Sequence, residues 1–395
     1  MWITRSVEDL LVRMAGQFPA LLVTGTRQAG KTSLLRHLFP KASYLTLDLP
    51  SNAEAAKSAP EALLERYPEP VIIDEIQYAP VLLRHLKVRI DQDRSPGRFL
   101  LTGSQVFELM QGISESLAGR CGVLSLLTLG YDELEAAGRS LPETSYVFLG
   151  GYPELHVSAE PELWFPAYVA TYLERDVRNI LRVVDLQDFN RFIRACALRT
   201  GQVLNYSDIA RDVGIAPNTA RKWLSLLQTS GVILLLEPYF GNRTKRLIKA
   251  PKIMFMDTGL AAYLCGFLSE HELFGSSYAG AFWESHVFGQ VFRRCVSLGR
   301  RVPLYYWRTV SGHEVDLVIE LSPGSLMAVE AKWKEQPDMS DTSGLHALVC
   351  AEGARKVESF IVAKTTVGYR LTDRTWVTDV KGLSETLSGR LGVRS

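Results

Sequence analysis

The chain has 395 residues, 47% hydrophobic and 22% charged, so long disordered stretches are excluded and the length suggests two or three domains. Forty-four Lys and Arg against 43 Asp and Glu leave a net charge of +1, which excludes a uniformly basic nucleic-acid coat but not local basic patches. Five scattered cysteines without a CxxC pair argue against a disulfide framework or a cysteine-rich zinc site. No apolar run approaches the roughly 18 residues of a membrane span, and the charged start MWITRSVEDL lacks the apolar core of a signal peptide. A cytoplasmic location is expected.

The N-terminal third alternates short apolar runs with helical patterns, the signature of an α/β fold with a largely parallel sheet. Strands are expected at Ala20–Thr24, Ser43–Leu47, Pro70–Ile73, Arg98–Thr102 and Gly122–Thr128. Between the first strand and the helical SLLRHLF pattern, Gly25, Gly30, Lys31 and Thr32 fit GxxxxGK[ST], and Ser33 follows in the first helical turn. The glycines let the backbone curl so that its N–H groups face phosphate oxygens, and the helix N-terminus adds partial positive charge. In this arrangement Lys31 reaches the β and γ phosphates and Thr32 binds Mg²⁺. The strand PVIIDE then ends in two acids, Asp74 to hold Mg²⁺ through water and Glu75 to polarise the attacking water. A chance glycine-rich turn and a solvated acidic turn are the bland readings of the two motifs.

GTRQAGKT, VIIDEIQYAP and FLLTGS, in that order, resemble an AAA-type ATPase. The resemblance implies that Ser104 or Gln105 senses the γ-phosphate, and that Arg120, after Gly119, reaches a neighbouring subunit's nucleotide as an arginine finger. A surface arginine closing a helix is the alternative for Arg120. Gly151-Tyr152-Pro153 resembles the GxP turn that opens the lid in some branches, placing Pro153 near the adenine; an ordinary turn is the alternative.

Residues 131–200 read as helical, with Tyr168–Val184 rich in charge. Residues 203–257 read as helix, turn, helix and two strands, a winged-helix layout. Ser207 is the expected N-cap of a short helix Asp208–Val213, Gly214 makes the turn, and Pro217 opens a second helix ending near Thr229. Ile209, Val213, Ile215, Trp223, Leu226 and Leu227 form the expected small core. Arg221 and Lys222 on the second helix, with Arg243, Lys245, Arg246, Lys249 and Lys252 between the strands, suit DNA phosphates. A protein-interaction module, or a merely solvated charged face, is the other reading.

Residues 278–395 return to mixed α/β: a helix, three strands, a helix and two more strands. Glu284 falls on the helix, Asp316 on an alternating strand, and Glu330 and Lys332 two apart on the next strand, facing one side. This order resembles the PD-(D/E)xK nuclease fold. The resemblance implies that Asp316 and Glu330 hold Mg²⁺ with support from Glu284, while Lys332 is the catalytic lysine. Arg293, Arg294, Arg300 and Arg301, with Arg308 and His313 nearby, are expected to line a nucleic-acid groove. The alternative is a scaffold that binds without cleaving.

Taken together the chain resembles a widespread prokaryotic group of ATPases whose C-terminal half was long annotated only as a domain of unknown function. DEIQ, LTGS, LAGR, GGYPE, MDTGL, YWRT and EVD carry that resemblance over nearly the whole length. It implies a P-loop ATPase core at 1–130, a helical lid at 131–200, a winged helix at 201–265 and a nuclease-like α/β domain at 270–395. The expected cofactors are ATP and Mg²⁺. The expected partner is duplex or branched DNA, and the expected assembly is a ring, a hexamer, that translocates or migrates branches. The competing reading is a nucleotide-dependent switch that binds a protein partner through an inactive nuclease-like domain; a third is a sequence-specific regulator gated by ATP.

Overall fold

A computed structural model describes residues 2–103, 112–113, 115–139, 141–173, 186–240, 250–353 and 356–392. By internal contacts the chain forms two units, one of residues 1–129, 152–157 and 229–232, the other of 130–151, 158–228 and 233–395.

The first unit is built on a parallel sheet of β1 (Ala20–Gly25), β2 (Ser43–Thr46), β3 (Val71–Asp74), β4 (Phe99–Thr102) and β5 (Cys121–Leu126), in the order β2-β3-β4-β1-β5. Each strand lies within two residues of its expected bounds. β1, β3 and β4 are buried along their whole length and apolar up to their C-terminal ends, as parallel strands covered on both faces must be. Leu22, Ile73, Phe99 and Leu101 pack there with Leu82, Leu86 and Ile90 of the helix Leu82–Gln92. Because all strands run the same way, the ends of β1, β3 and β4 bring Gly25, Asp74 and Thr102 to one edge. Open parallel sheets bind their ligands at that edge.

The second unit begins with helices Tyr131–Ala136, Glu143–Leu149, Pro161–Tyr168 and Leu186–Ala197. Two of the sequence phrases meet as a packing joint. The Asp257 carboxylate accepts from Leu260 N at 3.0 Å, capping the helix Thr258–Cys265, and from Gly151 N at 2.9 Å. A Cβ on Gly259 would stand 2.2 Å from the Leu149 carbonyl oxygen, so only glycine allows this approach.

Helices Tyr206–Val213 and Pro217–Thr229 follow, with Gly214 between them in the left-handed region, and then the antiparallel pair β6 (Ile233–Leu236) and β7 (Lys252–Phe255). The N-cap is Asn205, not Ser207: the Asn205 side chain accepts from the N–H groups of Ser207 and Asp208, and Ser207 lies inside the first turn. Ile209, Val213, Trp223, Leu226 and Leu227 are buried, and Ile215 is half-buried.

The chain after β6 continues alongside β8 (Leu304–Arg308), where Tyr239 N donates to the Tyr306 carbonyl and Tyr306 N to that of Glu237. β8 edges a mixed sheet with β9 (Glu314–Ser322), β10 (Ser325–Lys332), β11 (Lys356–Ala363), β12 (Tyr369–Arg370) and β13 (Thr375–Thr378), in the order β12-β13-β11-β10-β9-β8. The helix Ala279–Ser297 packs on it, its buried Trp283 donating to the Val362 carbonyl at 3.1 Å. A final helix, Val380–Arg390, was not expected. Its two internal glycines give a weak helical pattern, but Asp379 caps it by accepting from Gly382 N at 2.7 Å.

Candidate functional site

The loop after β1 is held open by backbone conformation. Gly25 has φ +128°, and a Cβ there would lie 2.1 Å from the Leu126 carbonyl oxygen, so β1 can pass β5 only with glycine at this place. Gly30 has φ +91° and open space where its Cβ would be; it starts the helix Lys31–Leu38. Gln28 is also left-handed, at φ +63°. Buried Lys31 donates to the carbonyls of Gly25 at 3.2 Å and Thr26 at 3.0 Å. Thr32 lies half-buried behind it, and Ser33 is exposed on the same turn.

Asp74, at the end of β3, is the node of the site. Its Oδ1 accepts from Thr32 Oγ1 at 2.6 Å and from Thr102 Oγ1, and its Oδ2 accepts from Tyr44 Oη at 2.9 Å. Burial and the bond to Asp74 push the Tyr44 phenol up to about 12. Glu75 turns away from the strand at φ +56°; its N–H donates to Thr102 Oγ1 at 3.1 Å and its carboxylate accepts from Gln77 Nε2. Sequence reasoning missed three contributors. Tyr44 and Thr102 reach Asp74, and buried Arg5 donates to the carbonyls of Ala29 in the loop at 3.0 Å and Leu127 at 2.7 Å. The fold places these two carbonyls together far from Arg5 in sequence, so no local pattern announces the contact.

These residues fit a nucleotide with its magnesium. The space beyond Gly30 is open, the buried Thr26 hydroxyl has no hydrogen-bond partner among the described residues, and the described bonds of Lys31 go to main-chain carbonyls that a phosphate can replace. Arg120 instead makes a two-pronged pair with Asp91, Nε to Oδ1 at 2.7 Å and Nη2 to Oδ2 at 3.0 Å, which holds the Asp91 carboxyl below its usual range. Ser104 and Gln105 lie outside the described residues. Pro153 opens a short 3-10 turn, Pro153–His156, in the first unit.

The second constellation does come together, but around a residue not assigned to it. Lys252 of β7, 1% exposed, places Nζ 2.7 Å from Glu284 Oε1, 2.5 Å from Glu314 Oε1 and 3.7 Å from Asp316 Oδ1. The remaining Asp316 oxygen accepts from Ala331 N at 2.8 Å, and Lys332 Nζ donates to Glu330 Oε1 at 2.6 Å. Burial pushes the carboxyls of Glu284 and Glu330 up to about 8, with Asp316 adding to both. Burial alone would lower Lys252, but the three carboxylates hold its ammonium well above the ordinary range. Among the described residues no three His, Cys, Asp or Glu side chains are arranged to hold a metal ion. The expected Mg²⁺ ligands Glu284, Asp316 and Glu330 therefore do not fit that ion here, because a lysine ammonium or a backbone N–H already takes one oxygen of each.

The basic residues divide. Arg221 and Lys222 are exposed, the former over the Tyr206 ring at 5.2 Å from its centroid. Arg243, Lys245, Arg246 and Lys249 lie outside the described residues. Arg300, Arg301, Arg308 and His313 are exposed, but Arg293 is buried and donates to the Met256 carbonyl, and Arg294 is half-buried and donates to Ser388 Oγ. Lys252 is likewise no surface cation.

Residues 17–135 match a family model described as an AAA domain. Residues 143–271 and 279–383 match two domains of unknown function, DUF8612 and DUF4143. The uncharacterized proteins Rv2008c of Mycobacterium tuberculosis and Mb2031c of Mycobacterium bovis are each 34% identical over 340 residues, 85% of this chain and 75% of theirs. This chain belongs to their family. Its AAA domain is that of a nucleotide-dependent ATPase, and its C-terminal part is a DUF4143 domain. Looser structural likenesses include the Walker-type ATPase PABY2304 of Pyrococcus abyssi, at 18% identity and TM-score 0.45 over 67% of this chain and 96% of that one. A RuvB variant of Thermotoga maritima aligns at 14% identity and TM-score 0.32 over 58% of this chain and 88% of that one. Among the described residues no helix is long and apolar enough to cross a membrane.

Proposed function

We propose that this chain is a Mg²⁺-dependent ATPase that acts on duplex or branched DNA. The observation that carries the hydrolytic part is the convergence of Lys31, Thr32 and Asp74 at the open ends of β1 and β3. Thr32 and Asp74 would hold the metal, which when bound neutralises charge developing on the phosphates. Lys31 exchanges its two carbonyl acceptors for phosphate oxygens, and the N–H groups of the loop and helix start face the same anion. Glu75 orients the attacking water and draws on its proton. Ser104 senses the γ-phosphate, and Pro153 lies toward the adenine.

Arg221 and Lys222, with Arg243, Lys245, Arg246 and Lys249, contact DNA phosphates from the winged-helix segment. In a ring, a hexamer, Arg120 would leave Asp91 and act on the neighbouring subunit's nucleotide, and hydrolysis would drive translocation or branch migration. The pairing of Arg120 with Asp91 favours a second reading, a nucleotide-dependent switch that binds a protein partner.

Steady-state ATP hydrolysis with Mg²⁺, with and without linear duplex, single-stranded and four-way-junction DNA, separates the two. The motor reading expects stimulation by one DNA form. Flat hydrolysis with every DNA favours the switch. Lys31→Ala should abolish hydrolysis in either case, and normal turnover by that variant overturns the nucleotide site itself.

A further inference from the structure

We infer that Lys252 is the resident cation of the C-terminal carboxylate cluster, standing where a nuclease of similar layout would hold a divalent metal, so that this cluster takes no metal. An ammonium has three protons to donate. Here they face Glu284 at 2.7 Å, Glu314 at 2.5 Å and Asp316 at 3.7 Å, from a side chain with 1% of its residue surface exposed. These come from a helix and a strand that any metal would have to share with it. Lys252 is no surface cation that has folded inward. It occupies the first position of β7, where its backbone pairs with Leu236, and Val203 makes a further bridge to it.

A hard divalent ion would have to bring its waters into a buried site that two ammoniums already occupy. Mg²⁺ takes six oxygen ligands and gives up its water reluctantly. One oxygen of Asp316 is spent on Ala331 N and one of Glu330 on Lys332, and Glu330 Oε2 is buried with no hydrogen-bond partner among the described residues. An ion shared between Glu330 and the others would also sit within a few ångströms of the Lys252 charge, in a site largely removed from water, where like charges repel strongly. Glu314 completes the lysine's shell and is itself paired with Arg308 Nε at 3.5 Å. The cluster thus joins β7 to β9 and to the helix Ala279–Ser297 by an internal salt-bridge network.

The test needs no nucleotide and so stands apart from the ATPase reading. Mn²⁺ alone is titrated into the full chain, and bound ions are counted from the free-ion paramagnetic resonance signal. Wild type, Asp316→Asn and Glu330→Gln should bind the same number of ions. Lys252→Met should gain one ion per chain, and Lys252→Met/Asp316→Asn should lose it again. If Lys252→Met folds only when Mn²⁺ is present, the inference is supported, because the metal then does the lysine's work. An ion bound by wild type and lost in both Asp316→Asn and Glu330→Gln overturns it. So does a folded Lys252→Met chain that gains none.

Discussion

Three hydroxyls, from Thr32, Tyr44 and Thr102, converge on the single carboxylate of Asp74. Thr32 and Asp74 were legible because a phosphate-loop spacing followed by an apolar strand that ends in acids rarely arises outside nucleotide sites. Tyr44 was not, since a tyrosine in SYLT reads the same whether it faces core or site. Its phenol, pushed up to about 12, remains a donor throughout the physiological range. Tyr44→Phe should weaken ATP hydrolysis several-fold and lower unfolding free energy by about 1 kcal/mol, the usual worth of one hydrogen bond. Steady-state kinetics and urea melts read the two effects. Arg5→Ala should raise the KM for ATP by about tenfold while Arg5→Lys recovers part of it, since hydrogen bonds from a charged donor to the Ala29 and Leu127 carbonyls are lost. A KM unchanged in Arg5→Ala would show that the loop keeps its shape without them.

At the level of elements, the parallel sheet was readable because its buried strands are short apolar runs and their connecting helices are amphipathic. The helix cap at 205 was misread because Asn205 and Ser207 are both good capping residues. What decides between them is that Asn205 is extended and reaches two N–H groups at once. Asn205→Ala should cost about 1 kcal/mol, and Ser207→Ala only a few tenths, in the same melts. The joint between GGYPE and MDTGL was visible as phrases but not as a contact, because nothing in one phrase names the other. Gly259→Ala would place a carbon 2.2 Å from the Leu149 carbonyl oxygen and should destabilise on the order of 3 kcal/mol. On the DNA reading, Arg221→Ala with Lys222→Ala should lower the salt dependence of binding by about two counterions without changing preference among sequences.

For the molecule as a whole, the C-terminal sheet shows how far residue order can lead and where it stops. Glu284, Asp316, Glu330 and Lys332 do gather, as their helix and strand positions imply, but which charges already satisfy them depends on Lys252, brought in by a separate hairpin. That choice has a consequence for pH. Glu284 and Glu330 have carboxyls pushed up to about 8, chiefly by burial, against an ordinary value of 4.5. A carboxyl raised in the folded state binds a proton there more tightly than in the unfolded chain. Its contribution is therefore complete below about 4.5, shrinks as pH rises, and is gone above about 8. Glu330 faces Asp316, Lys332 and Glu284, and the two lysines of the cluster, both held above their ordinary range, keep their charge across this interval. Hydrogen exchange should therefore quicken at residues 314–332, after correction for its intrinsic pH dependence, as pH is raised from about 5 to about 9. Glu330→Gln, neutral at every pH, should weaken that response and leave the part due to Glu284, whereas ATP with Mg²⁺ should slow exchange around residues 25–33 and 71–75. A Glu330→Gln chain as pH-sensitive as wild type would place the excess proton on Glu284 or outside the cluster.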